Sequence, residues 1–444
     1  EHPIMRLKKI TLHNFRCFEK LEVDLHPRLT VIVGDNGWGK TAVLDGIACA
    51  ISPVLTYLSS ANQRLNGRGI QDADFRIIPL TALGSNRRWG KADVTQLEVE
   101  TTEGLKWDVW RAAVQGKKPL NITGQTELKN YAQGITESYT QPVPQRTPVF
   151  AFYGASRGYI EVPQRVRRTK IDYEYPATAL LNALEAYTNF RELLAWFDRE
   201  EATELRNNKG VATSSFVTSP TLDTVRSAIL ELLRGEYTEP HFNAVHKFVV
   251  TRKSDGAELL VDQLSQGYQS MLALAMDFAR RLAIANRHTQ GIKEGEGVMI
   301  IDEVDIHLHP TWQQRVLDDL MNAFPNTQII VTTHSPQVLS TVAREHIRKL
   351  QGDGSGIKAD MPDFSPLAHE SGDALTKVMD THREPRLPIQ DDIRKYEQLV
   401  RSGQEHGAEA ETLRRGIEEA GYQFHESDLA KWRFLANRSN PTGH

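Results

Sequence analysis

The stretch GDNGWGKT at positions 34–41 decides the fold, because it fits the pattern G-x-x-x-x-G-K-S/T in the surroundings that this pattern requires. The apolar run LTVIV, residues 29–33, precedes it and predicts a buried β-strand, and the segment TAVLDGIACAI after it has a helical pattern. In such a turn, glycines let backbone N–H groups surround phosphate oxygens, and the helix N-terminus adds partial positive charge. The stretch therefore predicts a phosphate-binding loop.

Within this loop, Lys40 is expected to reach the β- and γ-phosphates of a nucleoside triphosphate, and Thr41 is expected to bind Mg²⁺. The neighbouring residues predicted to surround the nucleotide are Asp35, Asn36, Gly37, Trp38, Gly39 and Ala42. The alternative is an accidental Gly-rich turn between a strand and a helix, which the flanking pattern disfavours.

The segment VMIIDEV, residues 298–304, predicts a buried strand with carboxylates at its end. Asp302 is expected to hold Mg²⁺, directly or through water. Glu303 is expected to orient or deprotonate the attacking water as the general base. The alternative is a strand that simply ends in exposed acids.

Two further stretches carry histidines after predicted strands: TTHSP at 332–336 and the segment that follows the acids of VMIIDEV. In TTHSP, residues 332–336, His334 follows a buried strand and could bond to the γ-phosphate, although a lone histidine is often structural. His307 and His309 are interpreted as loop residues, because no cysteine or third clustered ligand supports a zinc site.

The stretch LSQG, residues 264–267, begins a predicted helix. Ser265 offers a hydroxyl, Gln266 follows it, and Gly267 permits close backbone approach, which together suit contact with a phosphate at a helix N-terminus. An ordinary helix cap is the alternative.

The bulk composition is that of a globular protein. A chain of 444 residues suggests two or three domains, and a net charge of −4 does not favour a general nucleic-acid coat protein. Two cysteines exclude a disulfide framework and fit a reducing, cytoplasmic location. No signal peptide and no apolar run of about 20 residues is visible, so no membrane is expected. Residues 1–4 resemble an expression scar.

The later parts of the chain are predicted to be helical segments separated by a linker. A helical segment is predicted at about 176–235, a Gly/Pro-rich linker at 351–366, and a charged helical region at 367–444. Apolar residues at helical spacing form one stripe in that last region: Ile389, Ile393, Tyr396 and Val400. The stripe could pack within the chain or bind a partner.

In this order, the motifs and the opening ITLHNFRCF resemble the RecF/SMC/OLD branch of ABC-type ATPases. The resemblance covers about residues 1–350. It implies an α/β fold, a P-loop ABC-type ATPase head over 5–350 with a mixed sheet, a helical lobe insertion and a C-terminal helical tail. It also implies slow, regulatory ATP hydrolysis with Mg²⁺. Two heads of this family sandwich two ATP molecules, so the implied partner is a second copy of this chain.

The resemblance also assigns individual residues. It implies that Arg16 lies by the nucleotide, that Asp305 crosses to the partner head, and that His334 is the switch histidine. No glutamine of the kind this family uses stands out. YGASR, residues 153–157, occupies its place, and Arg157 is either a phosphate or sensor residue or an ordinary loop arginine.

Within the branch, the segments FAFYGASR, LLAWFDREEA, LSQGYQSMLALAMDFARRL and KWRFLANRS resemble the ATPase subunits of Septu-type anti-phage systems. No nuclease motif is visible, so the resemblance implies regulation of a separate HNH-type nuclease. The alternative is a RecF-like, ATP-gated DNA-binding protein in repair or recombination. A basic run could contact DNA or form a solvated face: Arg165, Arg167, Arg168 and Lys170.

Overall fold

A computed structural model of the chain describes residues 5–35, 39–80, 88–158, 160–162, 170–289, 291–353, 356–381 and 387–439. The strands are β1 (Leu7–Phe15), β2 (Phe18–Asp24), β3 (Leu29–Val33), β4 (Ile77–Leu80), β5 (Arg88–Lys91), β6 (Val94–Thr101), β7 (Lys106–Ala112), β8 (Val149–Tyr153), β9 (Tyr237–Phe242), β10 (Phe248–Arg252), β11 (Glu258–Leu260), β12 (Gly297–Ile301), β13 (Thr327–Thr332), β14 (Ile347–Asp353) and β15 (Gly356–Asp360).

The helices are α1 (Lys40–Leu58), α2 (Thr126–Ser138), α3 (Phe190–Asn207), α4 (Pro220–Leu232), α5 (Gln266–Ala285), α6 (Pro310–Gln313), α7 (Val316–Ala323), α8 (Pro336–Leu339), α9 (Ser371–Lys377), α10 (Ile389–Arg401), α11 (Ala408–Glu419) and α12 (Glu426–Ser439). The chain divides between Ala374 and Leu375 into two compact units, and the first contains the strands and the predicted phosphate motifs.

The central sheet of the first unit has the order β15-β14-β3-β13-β12-β8. All neighbours in it are parallel except β15, which pairs antiparallel with β14. Strands β3, β8, β12 and β13 are buried along their whole length, as expected for apolar runs inside a parallel sheet. Their carboxyl ends lie at one edge, so the motifs that follow β3, β12 and β13 come together there.

A second sheet, antiparallel with the order β2-β1-β6-β7, shares a hydrophobic core with the central sheet. The segment 94–114, VTQLEVETTEGLKWDVWRAAV, has the alternating pattern that predicts a β-hairpin, and it forms β6 and β7. Helix α1 is part of this core, where the Trp107 indole N–H donates to the Ala50 carbonyl at 2.7 Å. The helix that begins at the phosphate loop is therefore anchored on both sheets.

By length and composition alone, α1 could cross a membrane. However, 83% of its most apolar window is buried inside the protein. A helix that is hydrophobic all round belongs in the core of a large domain when protein surrounds it, and the shared core described above explains its composition.

The helical segment predicted at 176–235 contains α3 and α4, and α4 packs against α5 and α7. A strand that the sequence pattern did not predict follows it. β9 contains Pro240, which cannot donate a ladder hydrogen bond, and it lies at the edge of the sheet β11-β10-β9, where proline is tolerated. The proline obscured the strand pattern.

The segment 351–366, predicted as a linker, lies inside the first unit. The end of β14 and all of β15 fall in it, with the antiparallel register running from Lys349↔Asp360 to Asp353↔Gly356. Closely spaced glycines between two strands suit a hairpin connection as well as a linker, which is why the composition pointed to a chain break here.

The second unit has its own core. Ile393, Tyr396 and Val400 of α10 are buried against α11 and α12, and Ile389 packs at the margin of the cluster. The residues that face them include Ala410, Ile417, Leu429 and Trp432. The amphipathic stripe of the tail therefore packs within the chain, and the interpretation as intramolecular packing is confirmed.

Candidate functional site

The phosphate loop is shaped by Gly39, which directly precedes α1 with φ 77° and ψ 37°. A β-carbon at this position would lie 2.6 Å from Cys17 Sγ and 3.1 Å from Phe18 Cζ. A side chain would therefore meet both an unfavourable left-handed backbone and a steric overlap. This explains physically why the motif has glycine here.

The other predicted loop residues divide by whether the structure describes them. Asp35 is exposed, and Ala42 is buried in the first turn of α1. Asn36, Gly37 and Trp38 lie outside the described residues.

Lys40 is the first residue of α1, and its side chain is buried although it carries a charge. Its ammonium donates to the carbonyl of Gly34 on the other side of the loop. Burial lowers the pKa of Lys40, while Asp35, Asp302 and Glu303 act in the opposite direction. A partly dehydrated cation interacts strongly with added negative charge, so this ammonium suits a phosphate ligand.

Asp302 follows β12 and is 4% exposed. Thr41 Oγ1 donates to Asp302 Oδ2 at 2.9 Å, and Thr332 Oγ1 at the end of β13 donates to Asp302 Oδ1 at 2.6 Å. The Thr41 and Asp302 oxygens are the hard donors that Mg²⁺ prefers. Their separation also suits two adjacent ligands of an octahedral ion with bonds of about 2.0–2.1 Å. The predicted pair therefore fits this ion.

Glu303 has a left-handed backbone, with φ 48°. Its N–H donates to Thr332 Oγ1 at 2.8 Å, so a single threonine hydroxyl joins Asp302 and Glu303. Sequence reasoning missed Thr332. The sequence did contain a sign of its role. Thr332 is the first residue of TTHSP and ends β13, the strand that pairs with β12, which the acids follow.

The segment after β13 carries His334, which is half-buried beside the same edge. Its neighbour Thr333 donates from Oγ1 to Asp305 Oδ1 at 2.6 Å, so Asp305 is held within its own chain. His309 accepts the N–H of Thr311 and caps α6, which agrees with a loop role.

Ser265 is the N-cap of α5, and its hydroxyl accepts the N–H of Tyr268 at 3.4 Å. Ser265 and Gln266 are exposed, whereas Gly267 is buried. A β-carbon on Gly267 would lie 2.8 Å from the carbonyl oxygen of His307. The glycine therefore allows α5 to contact the loop after β12, and the preceding polar residues face solvent.

Arg16 also has a left-handed backbone, with φ 52°. Its guanidinium donates to Asp45 Oδ2 at 2.6 Å and to Asp74 Oδ1 at 3.0 Å. Burial lowers the pKa of Arg16, but the two carboxylates outweigh it and the pKa is raised. Asp45 belongs to α1, so Arg16 lies beside the helix that begins at the phosphate loop, and its predicted nucleotide contact stays a prediction.

The basic run predicted to contact DNA is described only at its end. Lys170 is exposed, and Arg165, Arg167 and Arg168 lie outside the described residues. Nucleic-acid contact through this run stays a prediction.

Comparison with known proteins places these motifs in a family. A family model described as AAA domain matches residues 9–233, just over half of the chain, and a second AAA-domain model matches residues 128–340. The chain is 27% identical to the Retron Vc95 probable ATPase of Vibrio cholerae serotype O1 biovar El Tor, over 90% of this chain and 84% of that protein.

Two further relatives are similar over most of this chain. The Retron Ec83 probable ATPase of Escherichia coli is 28% identical, over 80% of this chain and 73% of that protein. The Septu protein PtuA of Bacillus mycoides is 24% identical, over 74% of this chain but 38% of that protein. The chain belongs to the AAA-domain family of ATPases, in the RecF/SMC/OLD-like branch that its motifs predicted.

Proposed function

We propose that this chain is an Mg²⁺-dependent ATPase that works as a head-to-head dimer and regulates a partner nuclease in anti-phage defence. The observation that carries the catalytic part is the convergence of Lys40, Thr41, Asp302 and Glu303 at the carboxyl edge of the strands β3, β13 and β12. Phosphoryl transfer needs little more from a protein than such positioned charges.

The roles follow from the geometry. Lys40, held at the loop by Gly34, supplies positive charge to the β- and γ-phosphates. Thr41 and Asp302 would hold Mg²⁺, whose charge would offset that of the same phosphates. Glu303 accepts a proton from the attacking water, as a general base. His334, two residues after the neighbouring strand β13, bonds to the γ-phosphate in this proposal.

The proposed dimer is supported by the exposure of Ser265 and Gln266 in the stretch LSQG, which we call the signature residues. Among the described contacts, the Ser265 hydroxyl bonds within its own helix, and Ser265 and Gln266 face solvent at the start of α5. N–H groups at a helix start suit an anion. A second copy could supply that anion as the phosphates of its bound ATP, with Asp305 near the contact.

The substitution Glu303→Gln tests the catalytic part. We expect ATP turnover to fall about 10²- to 10⁴-fold, because the general base is removed. ATP affinity should persist, since Lys40 and Asp302 are unchanged. If the dimer is ATP-gated, light scattering should show this variant at twice the monomer mass with ATP. Glu103→Gln, an exposed residue between β6 and β7, is the matched control. Unchanged ATP turnover in Glu303→Gln would contradict the assignment of Glu303 as the general base.

The defence role is supported by the names of the relatives, two of which are probable ATPases of retrons and one a Septu protein. The retron proteins are matched over a larger share of their length than PtuA. We therefore propose a general role that does not depend on which of the two systems is the better match: an ATPase that regulates an effector. We expect the tagged chain to co-purify from its host with a stoichiometric small nuclease, identified by mass spectrometry. Recovery of the chain with DNA alone would instead favour the RecF-like alternative.

A further inference from the structure

Arg157 lies in the short turn Ala155–Gly158 that follows β8, and its side chain is 5% exposed. Its guanidinium donates to three main-chain carbonyls. One Nη binds the carbonyls of Gly154, at 3.1 Å, and of Asp302, and the other binds the carbonyl of Glu303 at 2.6 Å. A buried arginine thus joins the end of β8 to the backbone of the two acidic residues after β12.

The turn that presents Arg157 is closely packed. The Gly154 N–H donates to the carbonyl of Ala186 at 2.8 Å, and a β-carbon on Gly154 would lie 2.8 Å from that same oxygen. The Asp302 N–H donates to the Tyr153 carbonyl at 2.8 Å, so the two strand ends are also joined through their backbones. The guanidinium is therefore presented from a fixed position.

The Arg157 guanidinium keeps its positive charge although it is buried. Burial lowers the pKa of Arg157 to about 10, and the surrounding Asp302, Asp305 and Glu303 act in the opposite direction. The side chain remains a cation at neutral pH. A buried cation needs hydrogen-bond acceptors, and the three carbonyls supply them.

Glu303 is the residue that needs this support. Its left-handed φ of 48° is unfavourable for a non-glycine residue and persists only where neighbours impose it. Thr332 binds the N–H of Glu303 and Arg157 binds its carbonyl. Both peptide groups that flank the Glu303 side chain are thereby held.

We propose that Arg157 is a positioning residue for ATP hydrolysis, which fixes the backbone of Asp302 and Glu303 and through it the direction of the Glu303 carboxylate. The inference rests on the proposed role of Glu303 as the general base. It differs from direct phosphate contact, because the role proposed here acts through the three main-chain carbonyls to which the guanidinium donates.

The test compares Arg157→Lys and Arg157→Ala, alone and combined with Glu303→Gln. Lysine keeps the charge but cannot bridge the carbonyls as a planar fork does. We expect Arg157→Lys to lower kcat about 10- to 100-fold, as a small displacement of a catalytic group does, with ATP affinity changed less than about two-fold. In the Glu303→Gln background it should cause no further loss, since residues that act as a unit are not additive.

Arg348→Lys is the matched control, because Arg348 is also buried and also donates to three main-chain carbonyls, those of Asp24, Glu345 and Ile347. It should leave kcat unchanged. A large loss of ATP affinity in Arg157→Lys, or full additivity with Glu303→Gln, would overturn the positioning role. If Arg157→Ala fails to fold, the lysine variant alone decides. Full activity of Glu303→Gln would refute Glu303 as the general base. The inference on Arg157 would then depend on the single variant Arg157→Lys, and a wild-type kcat in that variant would overturn it.

Discussion

The variant Lys40→Ala is expected to lose ATP turnover by at least about 10²- to 10³-fold, the effect of removing one fixed group that stabilises transition-state charge. The loss should include ATP binding as well as chemistry, because the ammonium is attracted to the phosphates in the ground state too. Its burial shows that folding has already removed much of the water around this cation, which is also why its pKa is lowered. Adding phosphate charge beside it therefore costs little further dehydration.

The fold should survive this change. Lys40 is at the start of α1, alanine is a good helix former, and the group left unpaired is the carbonyl of Gly34 in the loop. The measurement is the steady-state rate and the affinity for an ATP analogue, beside the thermal midpoint. Lys129→Ala, at an exposed position of α2, is the control. Near-normal turnover in Lys40→Ala would contradict the assignment of the loop as the phosphate site.

The variant Asp277→Asn is expected to destabilise the first unit by about 3–5 kcal/mol, since it removes the carboxylate that pairs with two buried arginines. Asp277 is 2% exposed in α5 and accepts hydrogen bonds from Arg280 at 2.9 Å, from Arg281 at 2.8 Å and from the Tyr153 hydroxyl at 2.6 Å. Asparagine has nearly the same shape but no charge, so packing changes little and electrostatics changes greatly.

The pH dependence of this effect has a definite sign. Burial raises the pKa of Asp277, but Arg281 and Arg280 lower it more, so the folded pKa lies below the unfolded value of about 3.9. The stabilisation is complete above that unfolded value and is lost as pH falls through the folded pKa. We therefore expect the difference between wild type and variant to narrow below about pH 4.

Chemical denaturation of both proteins at pH 7 and at lower pH measures this difference. Asp255→Asn is a suitable control, because Asp255 pairs with Arg252 at the same sequence spacing but on the surface, where ion pairs contribute little. Equal stability of wild type and Asp277→Asn at pH 7 would show that the two arginines find other partners.

The hydrogen bonds of Asp277 also connect the stability of the first unit with the candidate ATPase site. Helix α5 begins at the signature residues and carries Asp277 farther along, and Tyr153 ends the strand that leads to Arg157. The carbonyl of Tyr153 accepts the Asp302 N–H. Loss of the carboxylate is therefore expected to disturb both the signature helix and the catalytic edge.

Local features of the sequence determined the phosphate loop, the strands that precede Asp302 and His334, the hairpin at 94–114 and the packed stripe of the tail. Each depends on a property that neighbouring residues share: the backbone freedom of Gly39, a continuous apolar run, or apolar residues at helical spacing. Such properties are present in any short window of the chain, and so they could be recognised without the fold.

The tertiary structure alone decided which polar groups meet. Arg157 reaches residues 145 and 146 positions away, Tyr153 reaches Asp277 124 positions away, and Thr332 joins the two acids that follow the neighbouring strand. These contacts depend on the strand order β3-β13-β12-β8, which differs from chain order. Hydrogen bonds act only over about 3 Å, so a partner is defined by adjacency in the folded sheet, which no local pattern of residues contains.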